Sequence, residues 1–382
     1  MFSQFFFLIA TLFLIALAPE REFVKASGEN GALLIGLYVA ILGAISFLRG
    51  KLKESSSLYF AQIALLFYLW LAYFYLGIQA FIPTETLCAA SSLALYFYAQ
   101  KLACARHRLS LVIPLAFPYL FICFLSDLSQ VLSPWISLTL SVALLIGIFL
   151  YYPFFLIHFW QCTKLPPSPL KVDLENLCAR MRFQLSGFYL WKPLKGSLTA
   201  AMLGVFSSCR YILLTDSLVR SLPYEAVVAV VAHEIGHSKR HHLLYYPLIL
   251  SGMMVVSLLA FLLISDPPIA LMIALVAMGL YFRFVFGYYS RQFEREADLF
   301  VFDADLPADD LIKALDVIGI KTGNSHILPC WHHFSLHERI EFLKKAKSDF
   351  NVVKLHRKKV KWSMVVFLVL WSLGQGVPVK KI

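Results

Sequence analysis

Charged residues are scarce in this sequence: Asp, Glu, Lys and Arg make up 15% of the 382 residues, whereas hydrophobic residues make up 59%. Length alone would suggest two domains or more, but the mean hydropathy of +0.72 places the chain among polytopic membrane proteins. The net charge of +11 is concentrated in loops and in a tail beside apolar segments. This distribution predicts the lipid bilayer as a partner and no nucleic acid.

Cysteines in a regular pairing pattern are also absent. The seven cysteines are odd in number and scattered, and several of them lie within apolar runs. This pattern argues against a disulfide framework and against a zinc site built from cysteine thiolates.

The most informative stretch that is present is His233-Glu234-Ile235-Gly236-His237, which follows an apolar run typical of a buried helix. Two histidines four positions apart lie on one face of a helix, so both imidazoles can reach one zinc ion. Glu234 can then take a proton from water that the metal activates. Because roughly a few per cent of chains this long carry the bare pattern by chance, the motif alone is only a hypothesis.

A candidate third ligand lies downstream, within residues 290–298. If this segment is a helix, Glu294 and Asp298 share a face and Glu296 points elsewhere. Glu294 could complete a His/His/Glu zinc set, and Asp298 could accept a hydrogen bond from a liganding imidazole and fix its tautomer. The alternative is a solvated, charged helix start, which is what such a run usually is.

Taken together, these motifs resemble the membrane zinc endopeptidases that include HtpX and the CaaX prenyl proteases. The resemblance covers about residues 211–342. It is carried by Leu214-Thr215-Asp216-Ser217-Leu218, the His-Glu-Ile-Gly-His motif, Ser290-Arg291, Glu294, Ala297-Asp298, His333 and Glu338-Arg339-Ile340.

The resemblance implies a zincin-like metalloprotease domain with one zinc ion on His233, His237 and Glu294. It implies that Asp298, Arg291 and Arg339 support the site. It also implies that His333 acts in catalysis as a donor to the oxyanion. Here His333 is followed by Phe334, where the family usually has proline.

A short strand before the motif helix is a candidate for substrate binding. Residues 183–214 mix β-prone pieces with glycines and predict a small sheet. Within it, Ser197–Leu203 is predicted as an edge strand that pairs with an extended substrate through Ala200, Ala201 and Met202. A purely structural hairpin is the alternative, and the family often has Asn in this strand, which this sequence lacks. We also predict helices at Val172–Arg182, Ala308–Ile318 and Leu336–Lys347, the second closed by Gly319.

Apolar segments predict a multi-span membrane region over residues 1–160, a metalloprotease domain over 161–361 and an apolar tail over 362–382. The metalloprotease domain includes a transmembrane hairpin at about 243–289. Three arrangements of this tail stay open: it crosses the membrane, it enters and leaves on the same side, or it lies flat on the membrane surface. The candidate spans of the first region are Phe2–Ala18, Ala32–Leu48, Leu58–Ile82, Leu87–Leu102, Leu111–Leu125 and Ile136–Trp160. The first could be a signal peptide, but no basic residue precedes it, so we expect a retained span.

Loop charges set the expected topology. Basic loops, around Lys51 and Arg106, alternate with acidic or neutral ones. Because membrane proteins keep Lys and Arg on the cytoplasmic side, the N-terminus and the zinc motif are expected there, in a multi-pass protein of a bacterial inner membrane.

The sequence therefore predicts a mainly α, polytopic helical membrane protein with a zincin-like metalloprotease domain that carries a small β-sheet at the cytoplasmic face. The predicted function is zinc-dependent endopeptidase activity on membrane proteins or lipidated peptides. One alternative is a zinc-binding membrane signalling sensor, but the predicted outer loops are too short for a sensor domain. The other is a non-enzymatic polytopic membrane protein, which a metal assay would separate.

Overall fold

The computed structural model describes residues 8, 11–12, 28–49, 51–78, 81–82, 84–103, 113–192, 197–322, 327 and 334–375. These residues are mostly helical and include one four-stranded sheet, so the predicted fold class is confirmed. Most of the first predicted span, His333 and residues 376–382 lie outside the described residues. The chain divides into two compact units, residues 1–148 with 264–272 and residues 149–263 with 273–382.

Four helices and most of a fifth belong to the first unit. They are α1 (Gly28–Arg49), α2 (Glu54–Phe74), α3 (Glu85–Ala103), α4 (Ile113–Ser129) and α5 (Pro134–Phe159). The side chain of Asp127, near the end of α4, accepts hydrogen bonds from the backbone N–H groups of Glu85 and Thr86, at 2.8 and 2.9 Å. These two donors are among the free N–H groups at the start of α3, so Asp127 caps that helix.

Four helices in the described part of the chain are long and apolar enough to cross a membrane: Asn30–Arg49, Ser56–Tyr73, His242–Leu263 and Ile269–Asp303. Helix α5 counts as a fifth if its two bent halves form one span. The shorter spans predicted within residues 87–125 are the helices α3 and α4, which do not meet that test of length and hydropathy.

The second unit begins with the sheet and the first of its helices. These elements are β1 (Thr163–Lys164), α6 (Pro169–Arg180), β2 (Gly187–Trp191), β3 (Ala200–Leu203) and β4 (Tyr211–Thr215). The strand order is β1-β2-β4-β3, with β2 and β4 parallel and the other pairs antiparallel. Strand β3 thus lies at the edge of the sheet, as predicted, although it begins three residues later than expected. Helix α6 begins earlier than predicted because Ser168 caps it and Pro169 occupies its first turn.

Nine helices follow in the described chain. They are α7 (Asp216–Ser221), α8 (Tyr224–Lys239), α9 (His242–Leu263), α10 (Pro267–Tyr281), α11 (Gly287–Asp298), α12 (Phe300–Asp303), α13 (Ala308–Lys321), α14 (Leu336–Ser348) and α15 (Asn351–Gln375). The apolar face of α8 packs into a buried core with residues of α6, β4 and α13. Burial of this face holds the helix of the His-Glu motif inside the unit.

Helices α10 and α11 form one continuous rod. A π-helical segment, Phe282–Phe286, joins them without a break. The second arm of the predicted hairpin therefore does not end at Tyr289 but continues into the helix that carries Glu294. This continuity could not be read from hydropathy, because α11 is amphipathic and α10 is apolar on all sides.

Two further boundaries differ from the prediction. Helix α13 does not close at Gly319 but continues to Lys321, and Gly319 is a buried residue within it. The apolar tail is the second half of α15, which begins at Asn351. Trp371 Nε1 donates to Ser251 Oγ of α9 at 3.0 Å and Tyr289 Oη donates to the Ser363 carbonyl at 2.7 Å, so α15 lies along the helices of this unit.

Candidate metal centre

Three potential metal donors converge in the second unit. The Nε2 atoms of His233 and His237, on α8, lie 3.2 Å apart. The carboxylate of Glu294, on α11, lies 3.8 Å from His233 Nε2 and 3.5 Å from His237 Nε2. A tetrahedral zinc ion with bonds of about 2.0–2.1 Å holds its donor atoms about 3.3 Å apart. The donor set and its spacing therefore fit one zinc ion.

Gly236 allows the two ligand-bearing segments to approach. A Cβ atom at this position would lie 2.8 Å from Phe300 Cβ and 3.2 Å from Ala297 Cα. Both distances are too short for ordinary contacts, and the second is to backbone, which cannot move alone. The glycine between the two histidines thus sets the distance at which α11 packs on α8 and brings Glu294 within reach.

A buried ion-pair network lies behind His233. The Nδ1 atom of His233 lies 3.0 Å from Asp298 Oδ1. Arg339, on α14, binds Asp298 through two N–H groups, at 2.8 and 2.6 Å, and places Nη1 3.3 Å from Glu294. Burial alone would lower the pKa of His233, but Asp298 raises it above its ordinary value. The carboxylate of Asp298 therefore favours an Nδ1–H tautomer, which leaves Nε2 free for a metal.

Glu234 is not one of the three clustered donors. Burial raises the pKa of its carboxyl group above the ordinary value. A hydrogen bond from the Met202 backbone reaches this carboxyl group, so β3 lies directly beside it. A half-buried acid that is separate from the ligands and adjacent to an edge strand is suited to proton transfer at a bound peptide.

The remaining predicted residues have varied positions. Ala200, Ala201 and Met202 lie in β3, whose side away from β4 has no partner strand among the described residues. Arg291 lies on α11, and its charge acts on Glu338, the residue that completes the capping box of α14 with Ser335.

His242 and Glu296 also lie beside the donors, although the sequence analysis assigned neither of them a role at the site. His242 Nδ1 lies 3.1 Å from His237 Nδ1, and His242 Nε2 lies 3.0 Å from Glu296 Oε2. Glu296 does point away from the three donors, as predicted, but toward His242. No periodic pattern could reveal this contact, because His242 belongs to the next helix.

Comparisons with known proteins agree with this arrangement. Residues 173–346, which contain all of the described donors, match peptidase family M48. A CAAX prenyl protease 1 homolog of Arabidopsis thaliana is 34% identical over 90 residues, 23% of this chain and 21% of that protein. CAAX prenyl protease 1 of Saccharomyces cerevisiae is 30% identical over 111 residues, 28% of this chain and 24% of that protein. The matched stretch thus spans a quarter or less of either relative.

Among solved structures, the crystal structure of S. mikatae Ste24p matches with a TM-score of 0.48 and 17% sequence identity, over 83% of this chain and 99% of that chain. The sequence match to the family, over the residues that place the histidines beside Glu294, is the more specific finding. The comparisons thus identify residues 173–346 as a domain that is similar to peptidase family M48.

Proposed function

We propose that this protein is an integral-membrane, zinc-dependent endopeptidase. The observation that carries the proposal is the spacing of His233, His237 and Glu294, which fits a tetrahedral ion, beside the half-buried carboxyl group of Glu234, which is not part of the cluster. Two imidazoles and one carboxylate are a donor set of catalytic zinc sites, which keep one position open. The family match over these residues supports a hydrolytic role for the set.

Each residue near the cluster has a distinct task in this proposal. Zinc supplies Lewis acidity, which lowers the pKa of water and polarises a carbonyl group. Glu234 removes the proton from the attacking water and passes it to the leaving amine. Asp298 and Arg339 hold His233 in place. His333, on the family resemblance and outside the described residues, donates to the oxyanion.

The edge strand β3 is proposed to bind the substrate. An extended peptide that pairs with β3 would lie beside the Glu234 carboxyl group, because the backbone of Met202 contacts that group. In this mode of binding, main-chain hydrogen bonds to the extended peptide give affinity, and pockets for its side chains give specificity. The apolar helices of the same chain, and the relatives whose names refer to CAAX prenyl proteases, favour membrane-associated proteins or lipidated peptides as substrates.

Loss of the third ligand tests the zinc site. We expect Glu294→Ala to lower the zinc content of the purified protein severely. A catalytic zinc site uses three protein ligands, and only the two imidazoles would remain. Cleavage of a lipidated or membrane-associated peptide should fall with the zinc content. Metal analysis of the detergent-purified protein and a peptide-cleavage assay are the two measurements, with a chelator-treated sample as reference.

Glu341→Ala is the matched control, because Glu341 lies on α14 and contacts the exposed Lys344 instead of the cluster. It should keep both zinc and activity. Full zinc content in Glu294→Ala would show that Glu294 is not a ligand. Absence of zinc from the unmutated protein would leave a non-enzymatic membrane protein as the explanation of the fold.

We further propose that the protein lies in a bacterial inner membrane with its zinc site at the cytoplasmic face. Basic residues follow α1 and α3, whereas the loop between α4 and α5 contains no basic residue. With the native cysteines replaced, Glu175→Cys on the exposed face of α6 should react with an impermeant thiol reagent only after the membrane is opened. The measurement is labelling of sealed and of opened cells.

Ser133→Cys is the control for that labelling, because Ser133 is exposed in the loop between α4 and α5. By the same charge argument it should react in sealed cells. The reverse pattern, with Glu175→Cys labelled in sealed cells and Ser133→Cys protected, would place the catalytic domain on the outer side.

A further inference from the structure

We propose that His242 and Glu296 form a hydrogen-bond relay that holds His237 in the tautomer needed for metal binding. The proposal rests on the zinc site proposed above. The two contacts of the relay are 3.1 Å, between the Nδ1 atoms of His237 and His242, and 3.0 Å, between His242 Nε2 and Glu296 Oε2. Because the His242 side chain is fully buried, water cannot replace either contact.

One order of protons satisfies both contacts when His237 uses Nε2 as the donor to zinc. The proton of His237 then lies on Nδ1, and this N–H donates to His242 Nδ1. A neutral imidazole that accepts at Nδ1 carries its proton on Nε2. His242 therefore donates from Nε2 to the carboxylate of Glu296. Each member of the relay fixes the tautomer of the one before it.

The two liganding histidines are thus supported in different ways. His233 reaches a carboxylate directly, since its Nδ1 atom lies 3.0 Å from Asp298. His237 reaches one through an intervening imidazole, and the carboxylate at the end is Glu296. In metal sites a hydrogen bond to the distal nitrogen of a liganding histidine fixes the ring and raises the basicity of the donor atom. The relay supplies that hydrogen bond to the ring of His237, whereas Asp298 supplies it to the ring of His233.

The relay depends on the break between α8 and α9. In one continuous helix, a residue five positions after His237 would point about 140° away from it. His241 adopts a φ of +59°, in the left-handed region that a non-glycine residue rarely occupies, and α9 begins at His242. The chain thereby turns, and the His242 side chain returns to the back of His237.

Packing then fixes the orientation of the His242 ring. It stacks on Phe293 of α11, with ring centroids 4.3 Å apart and planes at 12°. Glu296 lies on the same helix, about 200° around it from Glu294. It therefore cannot join the ligands, but it meets His242 on the far side of His237. This contact also gives a buried carboxylate the polar partner that it requires.

Zinc affinity tests the relay. In purified, metal-free protein, His242→Phe and Glu296→Leu should weaken zinc binding by about 10- to 100-fold in competition with a chelator. His242→Phe keeps an aromatic ring for stacking on Phe293 and removes both ring nitrogens. His242→Asn should restore most of the affinity, because an amide oxygen can accept from His237 Nδ1. A role in packing alone would give the opposite order, since phenylalanine fills the space better than asparagine.

His356→Phe is the matched control. His356 is also buried, and its Nε2 atom lies 3.1 Å from the Gln292 carbonyl of α11, outside the relay. This variant should keep the zinc affinity within about twofold, even where it lowers the melting temperature. The same chemical change, made beside the same helix, then separates a loss of packing from a loss of the relay.

The outcomes distinguish the relay from the function. Unchanged zinc affinity in both His242→Phe and Glu296→Leu, while the unmutated protein binds zinc, would overturn the relay alone. If Glu296→Leu does not fold, Glu296→Gln keeps the shape and removes the charge. It should weaken binding several-fold, and an unchanged affinity there counts equally against the relay. Failure of the unmutated protein to bind zinc would overturn the proposed function and the relay together.

Discussion

Glu234→Gln should reduce the rate of peptide cleavage by at least about a hundredfold while zinc stays bound, the low end for a lost general base. Glutamine keeps the size of the side chain and still accepts the hydrogen bond from the Met202 backbone. It cannot take a proton from water. Because Glu234 is outside the three-donor cluster, the metal content should not change. Single-turnover cleavage and metal analysis on the same preparation are the two measurements.

Glu225→Gln is the control for this substitution. Glu225 is exposed in the first turn of the same helix, about two turns before His233. It should leave both the cleavage rate and the zinc content unchanged. Full activity in a zinc-loaded Glu234→Gln protein would remove the proposed hydrolytic mechanism, although the zinc site itself would stand.

Arg339→Met should lower the free energy of unfolding by about 3–5 kcal/mol, the range for removing one partner from a buried ion pair. Arg339 is 9% exposed, and its guanidinium group compensates both Asp298 and Glu294. Methionine fills much of the volume but leaves two neighbouring buried carboxylates without a cation. The melting temperature of the metal-free protein measures the effect, so that loss of zinc does not contribute to it.

Arg357→Met provides the comparison. Arg357 also contacts a carboxylate twice, that of Asp303, but both side chains are 27% exposed. Water can solvate the remaining charge, and Arg240 also binds Asp303, so the loss of stability should be smaller. Equal melting temperatures for Arg339→Met and the unmutated protein would show that the buried network does not stabilise the fold.

The sequence predicted the site where spacing along one helix was sufficient. His233 and His237 are four residues apart on α8, and Glu294 and Asp298 are four residues apart on α11. Both pairs therefore share faces, and the structure brings the two faces together. Arg339 was placed at the site by family resemblance alone, and the structure supplies the reason, a fork of N–H groups on Asp298.

The sequence did not predict where one helix ends and the next begins, and the contacts that it missed depend on those boundaries. His242 reaches His237 only because His241 leaves the helical region of backbone conformation. The rod formed by α10 and α11 and the long α15 are continuous where a change in polarity suggested a boundary. In each case packing between elements, which local pattern does not encode, decided the outcome.

The order of the ligands along the chain has a consequence for biosynthesis. The two histidines precede α9 and α10, and Glu294 follows them. A growing polypeptide therefore carries an incomplete set of the proposed zinc ligands until both apolar helices have been synthesised. The proposed hydrolytic centre can therefore be completed only after the two helices that separate its ligands have been made. A chain whose synthesis stops before the end of α10 thus contains both histidines but not the third proposed ligand.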